Sequence, residues 1–177
     1  MQKKDFVIRF AGEGGQGLVT SADALARAAT SAGYYTQTFS TFPSQIMGAM
    51  GGLILSGVME RHPQLRFAFL EANCSWLSWF LYRIDDQQQK YTDSPLILKP
   101  SEYFYRQCMI SMEADEHLAL PWVNATNGKF TVISTDYPHP DSAFPDSMNE
   151  FFDLDIKADV RRKILWDNCI RLYGIKD

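Results

Sequence analysis

Residues 106–136, RQCMISMEADEHLALPWVNATNGKFTVISTD, decide the fold. Arg106 to Met112 reads as a buried strand ending at Glu113, and Asp115 to Asn124 as a helix. Lys129 to Ser134 reads as a second buried strand, with Asp136 just beyond it. Short apolar runs on either side of a helix describe a βαβ unit. Its strands run parallel, and its crossover is right-handed.

Working outward, the same alternation continues. Leu65 to Leu70, LRFAFL, is a buried strand ending at Glu71, and Trp76 to Gln89 is an aromatic-rich helix. A loop with two prolines follows from Asp93, and then a short helix from Ser101 to Tyr105. Gln45 to Glu60 reads as a helix that tolerates four glycines, broken by His62-Pro63. After Asp136 comes a proline-rich loop, Tyr137 to Pro145. Two helices follow, near Asp146 to Phe152 and Lys157 to Tyr173, the second closed by Gly174. At the other end, Asp5 to Ala11 is a strand, Leu18 to Ala32 a helix with Leu18, Ala22, Leu25, Ala26 and Ala29 at helical spacing, and Tyr34 to Phe39 a strand. The expected class is therefore α/β, a mostly parallel five-stranded sheet flanked by helices.

Composition agrees with a folded globular chain: 177 residues, 46% hydrophobic and 21% charged. The formal net charge is −4, without a dense basic cluster, which argues against nucleic acid or an anionic membrane as partner. Arg161-Arg162-Lys163 reads as the solvated face of a helix beside Asp155 and Asp159. No apolar stretch of signal or membrane length is present, so a soluble, cytoplasmic protein is expected. Cys74, Cys108 and Cys169 are scattered and odd in number, which fits reduced thiols.

Gly12-Glu13-Gly14-Gly15-Gln16-Gly17 fits G-x-G-x-x-G between a strand and a helix. Gly12, Gly14, Gly15 and Gly17 would let the backbone approach a phosphate at a helix N-terminus. Against this, Thr38 to Thr41 offers no carboxylate for a ribose, and Glu13 puts a negative charge in the loop. The alternative is a glycine turn used only for tight strand–helix packing.

Glu71, Glu113 and Asp136 each follow a buried strand. In a parallel sheet all three strand tips share one edge, where α/β proteins build their sites. Converging carboxylates can bind a cation or act as a general base, whereas a lone acid there is more often a helix cap. His139 stands near Asp136. His62 precedes its strand at the opposite face of the sheet, and His117 falls on a surface helix. Cys74 lies just past a strand tip with no histidine near it in sequence, so it reads as a buried thiol. The aromatic residues between Trp76 and Tyr105 read as core before pocket wall.

Two resemblances attach to these residues. The loop GEGGQG, its small-residue helix and YYTQTFSTFPSQI resemble the start of the gamma subunit or domain of 2-oxoacid:ferredoxin oxidoreductases. That likeness ends near Gly48, and no cluster-type cysteine array accompanies it. The blocks LILSGVMERHPQLRFAFLEANCSWL, KPSEYFYRQCMISMEADE, STDYPHPDS and RRKILWDNCIRLYG resemble the C-terminal part of the amidohydrolase-related family, in the branch with metal-dependent decarboxylases. The second resemblance implies part of a (β/α)8 barrel, following the Rossmann-like βαβ start read from residues 5–39. It also implies a divalent metal, zinc or manganese. Asp136 in Thr135-Asp136-Tyr137-Pro138-His139 matches the family's final Asp, Glu71 stands where many relatives carry a histidine ligand, and Glu113 matches a rim position.

The family's H-x-H pair is absent, so Asp136, His139 and Glu71 would be a thin remnant of a metal site. The expected division is residues 1–50 and 51–177, packed as one compact domain. The leading functional expectation is an amidohydrolase-like hydrolase or decarboxylase fragment with an incomplete metal site, acting on a small molecule if active. A gamma-type oxidoreductase subunit or coenzyme-binding module is the second reading, and an inactive fusion the third. An incomplete barrel leaves open strand edges, which point to self-association as a homodimer.

Overall fold

The computed structural model describes residues 42–90, 94, 96–138 and 142–175. The strands expected near residues 5–11 and 34–39, the glycine loop with Gly12, Gly14, Gly15 and Gly17, and His139 lie outside the described residues. The chain divides into two compact units after Gln45, and the described elements belong almost wholly to the second, Ile46–Asp177.

Three strands form one parallel sheet among the described residues: β1 (Phe67–Phe69), β2 (Cys108–Glu113) and β3 (Thr131–Ser134), in the order β1-β2-β3. These are three of the five strands expected from the sequence. Phe69, Ile110 and Thr131 form one row across the sheet, and Glu113 pairs with Ser134. The first five residues of β2 are all buried, as a central parallel strand covered on both faces requires.

The helices follow the periodicity, with local corrections. The helix expected from Gln45 to Glu60 is two: α1 (Phe42–Leu55) and α2 (Val58–Arg61). Gly57 separates them at φ 76, a conformation that glycine adopts without steric cost. Helix α3 (Leu77–Lys90) buries Leu77, Leu81 and Ile84. Helix α4 (Pro100–Gln107) starts at a proline, where the missing N–H is no loss, and the Lys99 N–H donates to Glu102 Oε2 at 2.8 Å. Ser101 joins α4 to α3, its N–H and hydroxyl donating to the two oxygens of Asp85 at 2.8 and 2.6 Å.

The helix between β2 and β3 begins as a 3-10 turn (His117–Ala119) and continues as α5 (Leu120–Thr126). It ends on Asn127 and Gly128, both at positive φ. Gly128 also packs close: a Cβ there would lie 2.7 Å from Val160 Cγ1. After β3 come α6 (Ser147–Asp153), α7 (Ala158–Arg162) and α8 (Asn168–Tyr173), the last two joined by a π-helical turn (Lys163–Asp167). Asn168 Nδ2 donates to Gly128 O and Thr131 O, each at 2.7 Å, tying this helix to the entry of β3. Met50, Ile54, Leu77, Phe104, Ile110, Val123, Phe151 and Ile164 meet in one buried core. No helix among the described residues is long and apolar enough to cross a membrane.

Candidate functional site

Because the strands are parallel, their C-terminal ends share one edge. Counted from the Phe69–Ile110–Thr131 row, Glu71, Glu113 and Asp136 follow two, three and five residues on. The turns carrying them are sharply bent. Glu71, Asn73 and Asp136 have φ of 58, 55 and 54, uncommon for residues other than glycine. Such conformations persist where neighbours hold them. Here the Glu71 N–H donates to Ser111 Oγ of β2 at 2.9 Å, and the Asp136 N–H to Ser134 Oγ at 3.4 Å.

Glu116 organises this edge, and the sequence reading did not single it out. Its side chain is buried, with 8% of the residue exposed. Oε1 accepts the N–H groups of Cys74 and Ser75, each at 2.8 Å, and Oε2 that of Glu113 at 3.2 Å. One carboxylate thereby fastens the turn after β1 to the end of β2. Asp115-Glu116 at the head of a helix looks in sequence like an ordinary exposed acidic pair, so no signal separated the two. In the structure Asp115 is exposed.

A cavity of about 110 Å³ opens at the edge, lined by Glu113, Asp115, Ser134, Asp136, Ser142 and Ser147 among others. Glu113 titrates above the ordinary glutamate range. Burial is the main cause, a hydrogen bond from Asn73 opposes it, and the charges of Glu116, Asp115 and Asp136 add to it. The structure therefore brings Asp136 together with Glu113. Glu71 is exposed and is not among the residues lining this cavity. His62 and His117 are exposed.

Cys74 is buried beside Glu116. Burial first, then that carboxylate's charge and hydrogen bond, push its thiol far up, the opposite of what a nucleophile requires. The aromatic stretch divides. Tyr103 and Phe104 are core, while Trp79, Tyr82 and Tyr105 are exposed.

A metal centre needs several ligating atoms around one point. Among the described residues, no group of three His, Cys, Asp or Glu is placed to hold a metal ion. The described acids at this edge therefore do not fit a divalent metal by themselves.

Residues 7–53 match the pyruvate ferredoxin/flavodoxin oxidoreductase family. No curated protein matches the chain in sequence. Among solved structures, the 5-carboxyvanillate decarboxylase of Sphingomonas paucimobilis has a TM-score of 0.65 at 22% identity, covering 79% of this chain and 43% of that one. A dihydroxybenzoic acid decarboxylase of Polaromonas, solved with manganese and the inhibitor 2-nitroresorcinol, has a TM-score of 0.65 at 18% identity, covering 86% and 46%. An amidohydrolase of Mycobacterium avium subsp. paratuberculosis has a TM-score of 0.65 at 19% identity, covering 86% and 40%. The chain spans less than half the length of these structures. It thus resembles the oxidoreductase family near its start, and its larger part carries a portion of the fold of amidohydrolase-type decarboxylases.

Proposed function

We propose that the larger part of this chain is an amidohydrolase-like portion of a metal-dependent hydrolase or decarboxylase, whose metal site this chain does not complete. One observation carries the reading. Asp136, in the sequence TDYPH, stands at the C-terminal edge of a parallel sheet and lines a cavity with Glu113. The manganese in the Polaromonas structure supports the class of metal. Catalysis by a metal-activated water requires a fixed coordination shell. Asp136, Glu71 and His139 would be a short ligand set for one, without an H-x-H pair, and Glu71 stands exposed outside the cavity that Asp136 lines. The expected behaviour is therefore no appreciable turnover by this chain alone.

The test is an assay of the purified chain with 2,6-dihydroxybenzoate and 5-carboxyvanillate, with zinc or manganese added, beside Asp136→Asn. Equal, background-level rates support an incomplete site. Turnover that disappears in Asp136→Asn would show a working centre and overturn the reading.

A second reading rests on the family match over residues 7–53. There Gly12, Gly14, Gly15 and Gly17 would cradle an anionic coenzyme in a gamma-type subunit or binding module. Saturable binding of coenzyme A or a dinucleotide, lost when Gly14 is replaced by a bulky residue, would favour it over the hydrolase reading and over an inactive fusion.

A further inference from the structure

Asn127-Gly128, the turn between α5 and β3, is the one Asn-Gly pair in the chain; Asn73, Asn124, Asn149 and Asn168 precede Cys, Ala, Glu and Cys. Such a pair can cyclise. The glycine backbone nitrogen attacks the asparagine Cγ, and the new N–C bond closes a five-membered succinimide. The glycine N–H proton ends on the side-chain amide, which leaves as ammonia. Water then opens the ring at either carbonyl. One opening gives aspartate, the other isoaspartate, in which the chain runs through the side chain. Glycine favours the attack because it has no side chain to obstruct it.

The folded turn withholds what that attack needs. Asn127 is exposed and open to water, but Gly128 is buried and its N–H donates to Val123 O at 2.8 Å. The nucleophile is thus engaged as the closing donor of the helix end. The backbone also points the wrong way. Asn127 sits at φ 51 and ψ 37, which sets the Gly128 nitrogen nearly opposite the Asn127 Cβ across the Cα–C bond. The ring requires nitrogen and Cβ on the same side. Three contacts hold this arrangement: Asn168 Nδ2 donates to Gly128 O at 2.7 Å, Lys163 Nζ to Asn127 O at 3.4 Å, and Val160 packs over Gly128.

We propose that Asn127 is a latent deamidation site, converted to aspartate and isoaspartate only when the end of α5 opens. Closure of the turn after conversion is hindered. Isoaspartate adds a backbone atom where a Cβ on Gly128 would already lie 2.7 Å from Val160 Cγ1. Aspartate adds a negative charge at the negative end of a helix. Each opening that leads to conversion therefore leaves a permanent mark on the chain. The site stands apart from the hydrolase reading, since it needs neither turnover nor a metal.

The experiment incubates the purified full chain at mildly alkaline pH, in buffer and in unfolding urea, and follows Asn127 by peptide mass spectrometry. Hydrogen exchange of the Gly128 N–H is measured alongside. In urea, Asn127 should convert before the other asparagines. In buffer it should convert at least about tenfold more slowly, at the unfolded rate multiplied by the open fraction. Exchange and conversion both require release of the same N–H, so their protection factors should agree within about threefold. Asn168→Ala frees Gly128 O and should speed conversion in buffer but not in urea. Ser101→Ala removes a hydroxyl bond to Asp85 between α3 and α4, leaves the turn intact, and should not change the rate. Equal rates in buffer and urea, another asparagine converting first in urea, or conversion protected far less than exchange would each overturn the proposal. So would an unchanged rate in a folded Asn168→Ala, or equal acceleration by Ser101→Ala. If Asn168→Ala does not fold, the comparison of conversion with exchange in the parent chain decides.

Discussion

Replacing Glu116 by alanine tests the organisation of the site edge most directly. The carboxylate accepts three backbone N–H groups, those of Cys74 and Ser75 at 2.8 Å and that of Glu113 at 3.2 Å. A hydrogen bond to a charged group contributes about 1.5–3 kcal/mol net, and an orphaned buried donor retains its full desolvation cost. The Cys74 bond is fully buried, while those of Ser75 and Glu113 are partly buried and can turn to water. Counting the first at about 1.5–3 kcal/mol and the other two at the low end of about 1.5 kcal/mol each gives a loss of about 4.5–6 kcal/mol. That is a large fraction of the 5–15 kcal/mol typical of a folded domain. Glu116→Gln keeps one acceptor oxygen and should lose about half as much. Urea unfolding followed by circular dichroism measures both, with the midpoint falling and the slope unchanged. Because the turn holding Cys74 comes loose, its thiol should also label faster under native conditions in Glu116→Ala. A variant within about 1 kcal/mol of the parent, with Cys74 still protected, would refute the idea that Glu116 holds the edge together.

Further outcomes follow from the same geometry. Burial raises the Glu113 carboxyl, so between the ordinary glutamate range and its own the folded chain binds more protons than the unfolded one. Stability should therefore fall as pH rises through that window, and Glu113→Gln should flatten the dependence in denaturation curves taken at several pH values. Gly128→Ala combines φ +66 with a Cβ placed 2.7 Å from Val160 Cγ1, and should cost about 2–4 kcal/mol in the same assay. Asn168→Ala leaves Gly128 O and Thr131 O without their donor and should cost about 2–3 kcal/mol. In native alkylation mapped by mass spectrometry, Cys169 should react first. Cys108, pushed up to about 12 by burial, and Cys74, raised further still, should stay protected until the chain unfolds.

Local pattern carried the elements a long way. The apolar runs at Leu65–Leu70, Arg106–Met112 and Lys129–Ser134 became the three described strands, each shorter than its run and the first only half as long. The helix expected at Trp76–Gln89 appears at Leu77–Lys90. Boundaries slipped where a single residue's backbone decides. Gly57 cuts one expected helix in two, and the expected Asp115–Asn124 helix begins as a 3-10 turn, where the Glu116 side chain is held by the turn after β1.

The sequence by itself determined an α/β chain of parallel strands, because burial on both faces of a strand shows as a continuous apolar run. It also determined that Glu71, Glu113 and Asp136 share one edge, because parallel strands carry their C-terminal ends to the same side. Which acids meet was decided only by tertiary structure. Strand register and the left-handed turns at Glu71 and Asp136 join Asp136 and Glu113 at one cavity and leave Glu71 in solvent. The burial of Glu116 and Ser147 is likewise beyond local pattern. An acid or a hydroxyl near a helix start looks the same in sequence whether water or a packed neighbour covers it, and that is settled by residues some 40 positions away, as the bonds from Cys74 and Ser75 to Glu116 show.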